Sequence, residues 1–423
     1  MSSAIRRLPA IFRENDDAEN EEDHVFADEA FPEHPCFTFF AKKTCRLSIA
    51  GNSARLSSIH LNEKIHMFDQ KETRVIRRKD ASRNCFDPFK KYRVPDLVLS
   101  NIFSNLKRKD LCSVLQVSKK FNTVGMTSLN WSVIDAYERP VSEYSLSSIM
   151  KTKVRVLRLA GARPDPTLLM PDIKLQECFF VPSRLELLDL SRANLTQRQL
   201  LIVLRPCRKL VCLSLEGNLL DDTVASCVAA NKDLLQLDMS MTHGITRTGA
   251  LNIFYNCKKL EQLNASWCGM TTEILHVVFE NISSKVRRLN LSGADRENGL
   301  IDEHIQMMSS ACPNLVDLDL SDNCDLGNET LFLIIENFVK MQVLSINRCF
   351  GMDPNMFPHL KKMPSLRYLN LHGCISKNNL QTFIEMCHRL KINRQFFNFT
   401  AKPVNTTAPV MQIWGNSLKE FMI

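Results

Sequence analysis

The sequence predicts an α/β fold: a solenoid of stacked strand–helix units bent into a horseshoe and preceded by a small helical domain. Three observations predict it. First, one segment recurs nine times: an apolar residue, two variable residues, an apolar residue, one variable residue, and a third apolar or small residue. It runs from Val154-Leu157-Leu159 through Leu185-Leu188-Leu190, Leu210-Leu213-Leu215, Leu234-Leu237-Met239 and Leu260-Leu263-Ala265. It continues through Val286-Leu289-Leu291, Leu315-Leu318-Leu320, Met341-Leu344-Ile346 and Leu366-Leu369-Leu371. Second, the steps between starts are 31, 25, 24, 26, 26, 29, 26 and 25 residues. A period in the twenties with this pattern is the signature of leucine-rich repeats. Third, a different, helical spacing of apolar residues fills 92–135, ahead of the first repeat. A single repeat cannot bury its own apolar face, so stacking is required and a strand-lined concave face results.

Taken in chain order, residues 1–88 lack a sustained period and are expected to form a disordered arm. Ten acidic residues and no Lys or Arg occupy Glu14 to Glu33, and Arg74, Arg77, Arg78, Lys79 and Arg83 cluster later. Opposed charge blocks with few apolar anchors cannot bury enough surface to order a chain. Phe37-Thr38-Phe39-Phe40 is an isolated apolar island, and Arg77-Arg78-Lys79 is a candidate nuclear import signal.

Residues 89–136 form the helical domain. Val94, Leu97, Val98, Leu99, Ile102, Phe103 and Leu106 fall at helical spacing, with Pro95 suited to a first turn, where its missing N–H costs little. Leu111, Val114, Leu115, Val117 and Phe121 continue on a second helix with Asp110 as its expected N-cap, and Trp131 follows a polar break. A core this small is marginal alone. It either meets a partner or caps the solenoid.

Residues 137–393 carry the repeats. Within each, the second and third apolar residues point into the core and the residue between them points to the concave face. That concave column reads Arg158, Asp189, Ser214, Asp238, Asn264, Asn290, Asp319, Ser345 and Asn370, and is expected to be a solvated polar floor. Two residues past the third apolar site the column reads Gly161, Arg192, Gly217, Met241, Trp267, Gly293, Asp322, Arg348 and Gly373. Four glycines suit a turning backbone. Trp267, Asp322 and Arg348 depart most from that preference, lie close in the array, and have the composition of a protein-binding hot spot. The competing account is a Trp packed on its neighbouring repeat, beside a surface ion pair worth under about 1 kcal/mol. Residues 394–423 lose the period, and their aromatics and prolines suggest an extended tail on a surface or over the last repeat.

The motifs Val94-Pro95-Asp96, Ile102-Phe103-Ser104, Leu106, Leu111, Val114, Val117, Lys119-Lys120-Phe121 and Trp131 resemble an F-box. Phe121 stands where relatives carry Trp, and Arg108 where they carry an apolar residue. Leu263-Asn264-Ala265-Ser266-Trp267-Cys268, Cys312-Pro313-Asn314-Leu315, Leu318-Asp319-Leu320-Ser321-Asp322 and Ile413-Trp414-Gly415 resemble the S-phase kinase-associated family of F-box/leucine-rich-repeat proteins. The resemblance covers roughly 92–415. It implies a substrate-recognition subunit of an SCF-type (Skp–cullin–F-box) ubiquitin ligase, acting on phosphorylated cell-cycle regulators such as cyclin-dependent kinase inhibitors, in nucleus and cytoplasm. The implied partners are a Skp-family adaptor, bound through Pro95, Leu99, Ile102, Phe103, Leu106, Leu111, Val114, Val117 and Trp131, and through it cullin and RING subunits. A small cyclin-kinase-subunit accessory protein is implied at Trp267, Asp322 and Arg348, and the tail is implied to fold back along the concave floor. Ser310 and Ala311 stand where relatives carry basic residues before Cys-Pro-Asn-Leu.

Such a receptor needs no catalytic residue and no cofactor, because it acts by raising effective concentration. The chain has no Gly-rich phosphate loop, His-Glu-x-x-His or Gly-x-Ser-x-Gly. A net charge of +8 over 423 residues does not call for nucleic acid, and no apolar run approaches a membrane span of about 20 residues. The fifteen cysteines are expected as free thiols without a zinc site, with Cys268, Cys349 and Cys374 inward at one repeat position. His372 is expected to be structural. The rival function is a stand-alone repeat scaffold or inhibitor without ligase association.

Overall fold

The computed structural model describes residues 94–106, 108–126, 131–152, 154–165, 182–294, 299–395, 398–404 and 412–417. The expected arm at 1–88, with its apolar island and basic run, lies outside the described residues. Everything described belongs to one compact unit, Asp80–Ile423.

Three short helices come first: α1 (Asp96–Ser104), α2 (Arg108–Leu115) and α3 (Lys119–Met126). Leu99, Phe103, Leu111 and Val124 form their core, with Val94, Leu106, Val114, Phe121 and Trp131 packed around it. Phe121 meets Phe103 edge to face, with ring centroids 5.3 Å apart. Gly125 lets α3 approach α2 closely, since a Cβ there would lie 2.3 Å from Leu115 Cδ2. Three local expectations shift. Val117 lies in the turn after α2 and Phe121 on α3, not on one helix with Leu111. Pro95 is the N-cap of α1, one place before its first turn. Asp110 lies in the first turn of α2, where its charge meets the helix dipole, while the helix already starts at Arg108.

The repeats build one parallel sheet of eleven strands in chain order. They are β1 (Val133–Asp135), β2 (Val156–Arg158), β3 (Leu187–Asp189), β4 (Cys212–Ser214), β5 (Gln236–Asp238) and β6 (Gln262–Asn264). They continue as β7 (Arg288–Asn290), β8 (Asp317–Asp319), β9 (Val343–Ser345), β10 (Tyr368–Asn370) and β11 (Lys391–Ile392). The register never slips: Leu188 faces Leu213, Leu213 faces Leu237, and Leu237 faces Leu263. Identical positions therefore stack into apolar columns, and all nine recurring trios are buried. β1 and β11 extend the sheet at both ends although neither carries the full repeat pattern. β1 lies inside the segment assigned to the helical domain, yet pairs with β2.

Helices cover the other face: α4 (Glu143–Lys151), α5 (Gln197–Leu204), α6 (Asp222–Ala229), α7 (Arg247–Asn256), α8 (Thr272–Asn281), α9 (Asp302–Ala311), α10 (Asn328–Asn337) and α11 (Lys377–Met386). Their starts are written locally. Ser142, Asp221 and Thr246 each accept the N–H of the third residue on, and Thr196 with Gln199 closes a reciprocal capping box. One repeat uses a 3₁₀ helix, Pro354–Lys362, because Pro358 inside it cannot donate an α-helical bond.

A polar column closes six of the nine turns, with Ala162, Ala193 and Ala294 in the other three. Asn218 Nδ2 donates to Leu190 O at 2.7 Å and Leu215 O at 3.2 Å, and Asn323 Nδ2 donates to Leu291 O at 3.1 Å and Leu320 O at 2.8 Å. Thr242, Cys268, Cys349 and Cys374 occupy the same position and donate to carbonyls likewise. These side chains satisfy loop carbonyls that stacking removes from water.

Candidate functional site

The helical domain divides the candidate adaptor residues in two. Leu99, Phe103 and Leu111 are buried in its core, so they hold the unit together and cannot face a partner. Leu106, Val114 and Trp131 are half-buried against that core. Trp131 also packs on the solenoid core, and its Nε1 donates to Gly125 O at 2.8 Å, which ties the small unit to its neighbour. Pro95, Ile102 and Val117 are exposed. They are joined by Leu97 and Val98 of the same helical run, which the F-box resemblance does not single out. Leu97 is 72% exposed, Ile102 51% and Val117 69%. Leu97, Val98 and Ile102 stand exposed on the nine-residue α1 and Val117 in the turn after α2, and large apolar side chains left in water on so small a unit call for a partner.

At the exit of the strands, all nine residues of the second column adopt positive φ. The five that are not glycine, Arg192, Met241, Trp267, Asp322 and Arg348, have φ of 53, 56, 56, 64 and 56°. Each non-glycine there costs about 1–2 kcal/mol of backbone strain. The conformation is held by a second ladder outside the strands, in which Trp267 N–H reaches Ser292 O at 2.9 Å and Arg348 N–H reaches His372 O at 2.9 Å. Trp267 lies across Gly293 of the next repeat, where a Cβ would meet the ring at 2.3 Å. It keeps 45% of its surface exposed all the same. Arg348 and Asp322 form a bidentate ion pair, with Nη2 to Oδ2 at 2.7 Å. Exposed Met241 precedes Trp267 along this rim, and exposed Phe350 lies beside Arg348. The packing and the ion pair of the competing account are both present, and about half of the indole surface remains in water.

The concave column differs from its expectation. Asp189, Ser214, Asp238, Asn264, Asn290, Asp319, Ser345 and Asn370 are buried, not solvated, and Arg158 is nearly so. Their carboxylate and amide oxygens turn back on the chain. Asp189, Asp238, Asn264, Asn290 and Asp319 each accept the N–H two residues on, at 2.9–3.2 Å. These Asx turns steer the backbone out of the strand. Burial pushes the Asp189 and Asp319 carboxyls up to about 6.

Residues 398–404 cross this floor against the chain direction. Asn398 hydrogen-bonds Asp319, the Ala401 N–H donates to Gln262 Oε1 at 3.2 Å, and Lys402 Nζ lies 3.3 Å from Glu216 Oε2. Trp414 Nε1 donates to Ala401 O at 3.1 Å, and Ile413 is fully buried. Phe396, Phe397 and Pro409 lie outside the described residues.

Burial pushes the thiols of Cys207, Cys212, Cys257, Cys268 and Cys312 up to about 12, which makes them poor nucleophiles. Among the described residues no group of three or more His, Cys, Asp or Glu could hold a metal ion. His372 is half-buried, and burial and Arg348 lower its pKa below the ordinary value. Ser310 is exposed at the end of α9.

Two family models match the chain. The SKP2 LRR domain model matches residues 144–420, and the F-box-like model matches residues 92–135. Among solved structures, the crystal structure of the Rad7 and Elc1 complex in yeast is 14% identical, with a TM-score of 0.43 over 81% of this chain and 93% of that one. A leucine-rich repeat-containing protein from Legionella pneumophila, LegL7, is 17% identical, with a TM-score of 0.37 over 53% of this chain and 79% of that one.

Proposed function

The chain belongs to the family of the SKP2 LRR domain, and on that premise we propose that it is the substrate-recognition subunit of an SCF-type ubiquitin ligase for phosphorylated cell-cycle regulators. An F-box-like unit followed by leucine-rich repeats supports a receptor role. The observation that carries the reading is the exposure of Leu97, Val98, Ile102 and Val117, on a small helical unit that matches the F-box-like model. A Skp-type adaptor covers that patch and brings cullin and RING subunits. The repeats hold the substrate near the charged ubiquitin carrier, so proximity does the work that a catalytic residue would do elsewhere.

The rim of Trp267, Asp322 and Arg348 takes the small cyclin-kinase-subunit accessory protein. A half-exposed aromatic on the same rim as an Arg–carboxylate pair supports this assignment. Cyclin-dependent kinase inhibitors are the proposed substrate class, and nucleus and cytoplasm the proposed compartments.

The deciding experiment is affinity purification of the tagged full chain from cells. A Skp-family adaptor and a cullin should co-purify, and proteasome inhibition should enrich ubiquitinated, phosphorylated clients. Recovery of the chain with neither adaptor nor cullin would leave a stand-alone scaffold.

A further inference from the structure

The sheet has a second charged edge, opposite the Trp267 rim, where the strands begin. Residues just ahead of the strands follow one another along it. Arg287 N–H bonds Glu261 O, Val316 N–H bonds Arg287 O, Gln342 N–H bonds Val316 O, Arg367 N–H bonds Gln342 O and Lys391 N–H bonds Arg367 O, all at 2.8–2.9 Å. Two depressions interrupt this edge. One is lined by Glu261, Lys285, Arg287, Asn314, Val316 and Lys340. The other is lined by Pro364, Leu366, Arg367, Tyr368, Arg389 and Lys391.

Each depression gathers three cations, and only the first holds an acid. Among the described residues none of the six cations forms an ion pair. Lys340 Nζ instead meets Asn314 Oδ1 at 2.6 Å, and Lys391 Nζ lies 5.4 Å from the centre of the Tyr368 ring. Elsewhere on this face some cations are paired, as in Arg155 with Glu186 and Lys259 with Asp233. Like charges gathered without partners repel, and an anionic ligand relieves that repulsion. The floors are partly apolar, through Val316 in one and Pro364, Leu366 and Tyr368 in the other. Arg287 and Arg367 are three strand spacings apart, about 14 Å, a span that four or five extended residues cover. Between Arg287 and Arg367 the charge of Lys340 alternates with exposed Val339, half-buried Val316 and half-buried Gln342. A continuous row of phosphates fits that alternation poorly. A peptide with acids at both ends and apolar residues between fits it well.

We propose that this edge docks an extended Asp/Glu-rich segment of a partner protein, with one acidic cluster in each depression and apolar side chains between them. The site is separate from the helical patch and from the Trp267 rim, so its assignment does not rest on the adaptor or the accessory protein.

The test uses the full chain purified with its Skp-family adaptor. The probe is a fluorescent peptide of about nine residues with an Asp/Glu triplet at each end and Leu-Val-Leu between. It should bind, weaken as NaCl rises, and lose binding when its acids become Asn and Gln. Lys285→Glu with Lys340→Glu, and separately Arg367→Glu with Arg389→Glu, should each weaken it at least about tenfold, while adaptor co-purification and the thermal midpoint hold. The corresponding Gln variants should lose affinity in the same sense if a reversal unfolds the chain. Equal binding of the Asn/Gln peptide, or unchanged affinity in both folded variants, overturns the proposal. Tighter binding of an oligothymidine of equal charge, or of phosphatidylserine vesicles, overturns it as well.

Discussion

Asp319 shows how one residue serves the turn at a cost in pH dependence. Burial raises its carboxyl from 3.8 to about 6, against hydrogen bonds from Ser321 and Asn398 that favour the charged form. The folded pKa lies above the unfolded one, so the folded state holds its proton more tightly between these values. Stability from this group is greatest below about pH 4 and falls as pH rises to about 6. Asp189 acts in the same sense. Asn264 and Asn290 make the same turn with a neutral oxygen. Asp319→Asn should therefore raise stability near pH 7.5 by about 1–3 kcal/mol and flatten the profile between pH 4 and 6, as read by thermal unfolding across pH. A less stable variant near neutrality would show that the tail needs the charge. Gly293 gives a second test at this scale. Its φ of 62° disfavours a side chain, and a Cβ would lie 2.3–2.6 Å from Trp267. Gly293→Ala should displace the indole without deleting it, and so lower accessory-protein affinity in a pull-down. Unchanged affinity would mean that the indole face is not used.

At the scale of elements, the strands were legible because their apolar trio repeats with a fixed period and stacks without slip. The start of α2 was not legible, because Asp110, the expected N-cap, stands inside a helix that begins at Arg108. Nor were β1 and β11, because an end strand has only one neighbour and needs only part of the pattern. The burial of Asp189 or Asp319 was not legible either. Alternation along a strand says which way a side chain points, and neither the Asx turn nor the tail above it is written in that alternation. The small helical domain gives the same lesson in reverse. Helical spacing found its apolar residues but could not separate those facing inward, Leu99, Phe103 and Leu111, from those facing water, Leu97, Ile102 and Val117. The two sets predict different failures. Leu97→Glu with Ile102→Glu should abolish adaptor co-purification and leave thermal unfolding unchanged. Leu99→Ala should destabilise the unit by about 2–5 kcal/mol, and lose adaptor only through that loss. An adaptor that still binds the double variant would refute the docking face.

At the scale of the whole molecule, a solenoid separates its surfaces by construction. Each repeat contacts mainly its neighbours, so a change at one rim is felt locally and fades along the array. The helical patch lies ahead of β1, while Trp267 follows β6 and Arg348 follows β9. The trio was legible from the sequence because it breaks a glycine preference at one repeat position. That the break costs backbone strain at positive φ could be seen only in the fold. Residues held there without a packing need are held for what they present. Trp267 has such a need only in part, since one face covers Gly293 and the other meets water. Truncation of a half-exposed interface Trp commonly costs about 2 kcal/mol of binding, roughly 30-fold in affinity. Trp267→Ala should therefore weaken binding of the accessory protein at least about tenfold, and Asp322→Lys and Arg348→Glu should act in the same sense. Adaptor binding should be unchanged in all three, because the F-box patch lies several repeats away. Titration of the accessory protein against each variant, with the thermal midpoint recorded in parallel, reads both quantities. A collapse of the midpoint in Trp267→Ala would assign the indole to packing between repeats. A preserved midpoint with unchanged affinity would move recognition away from this rim.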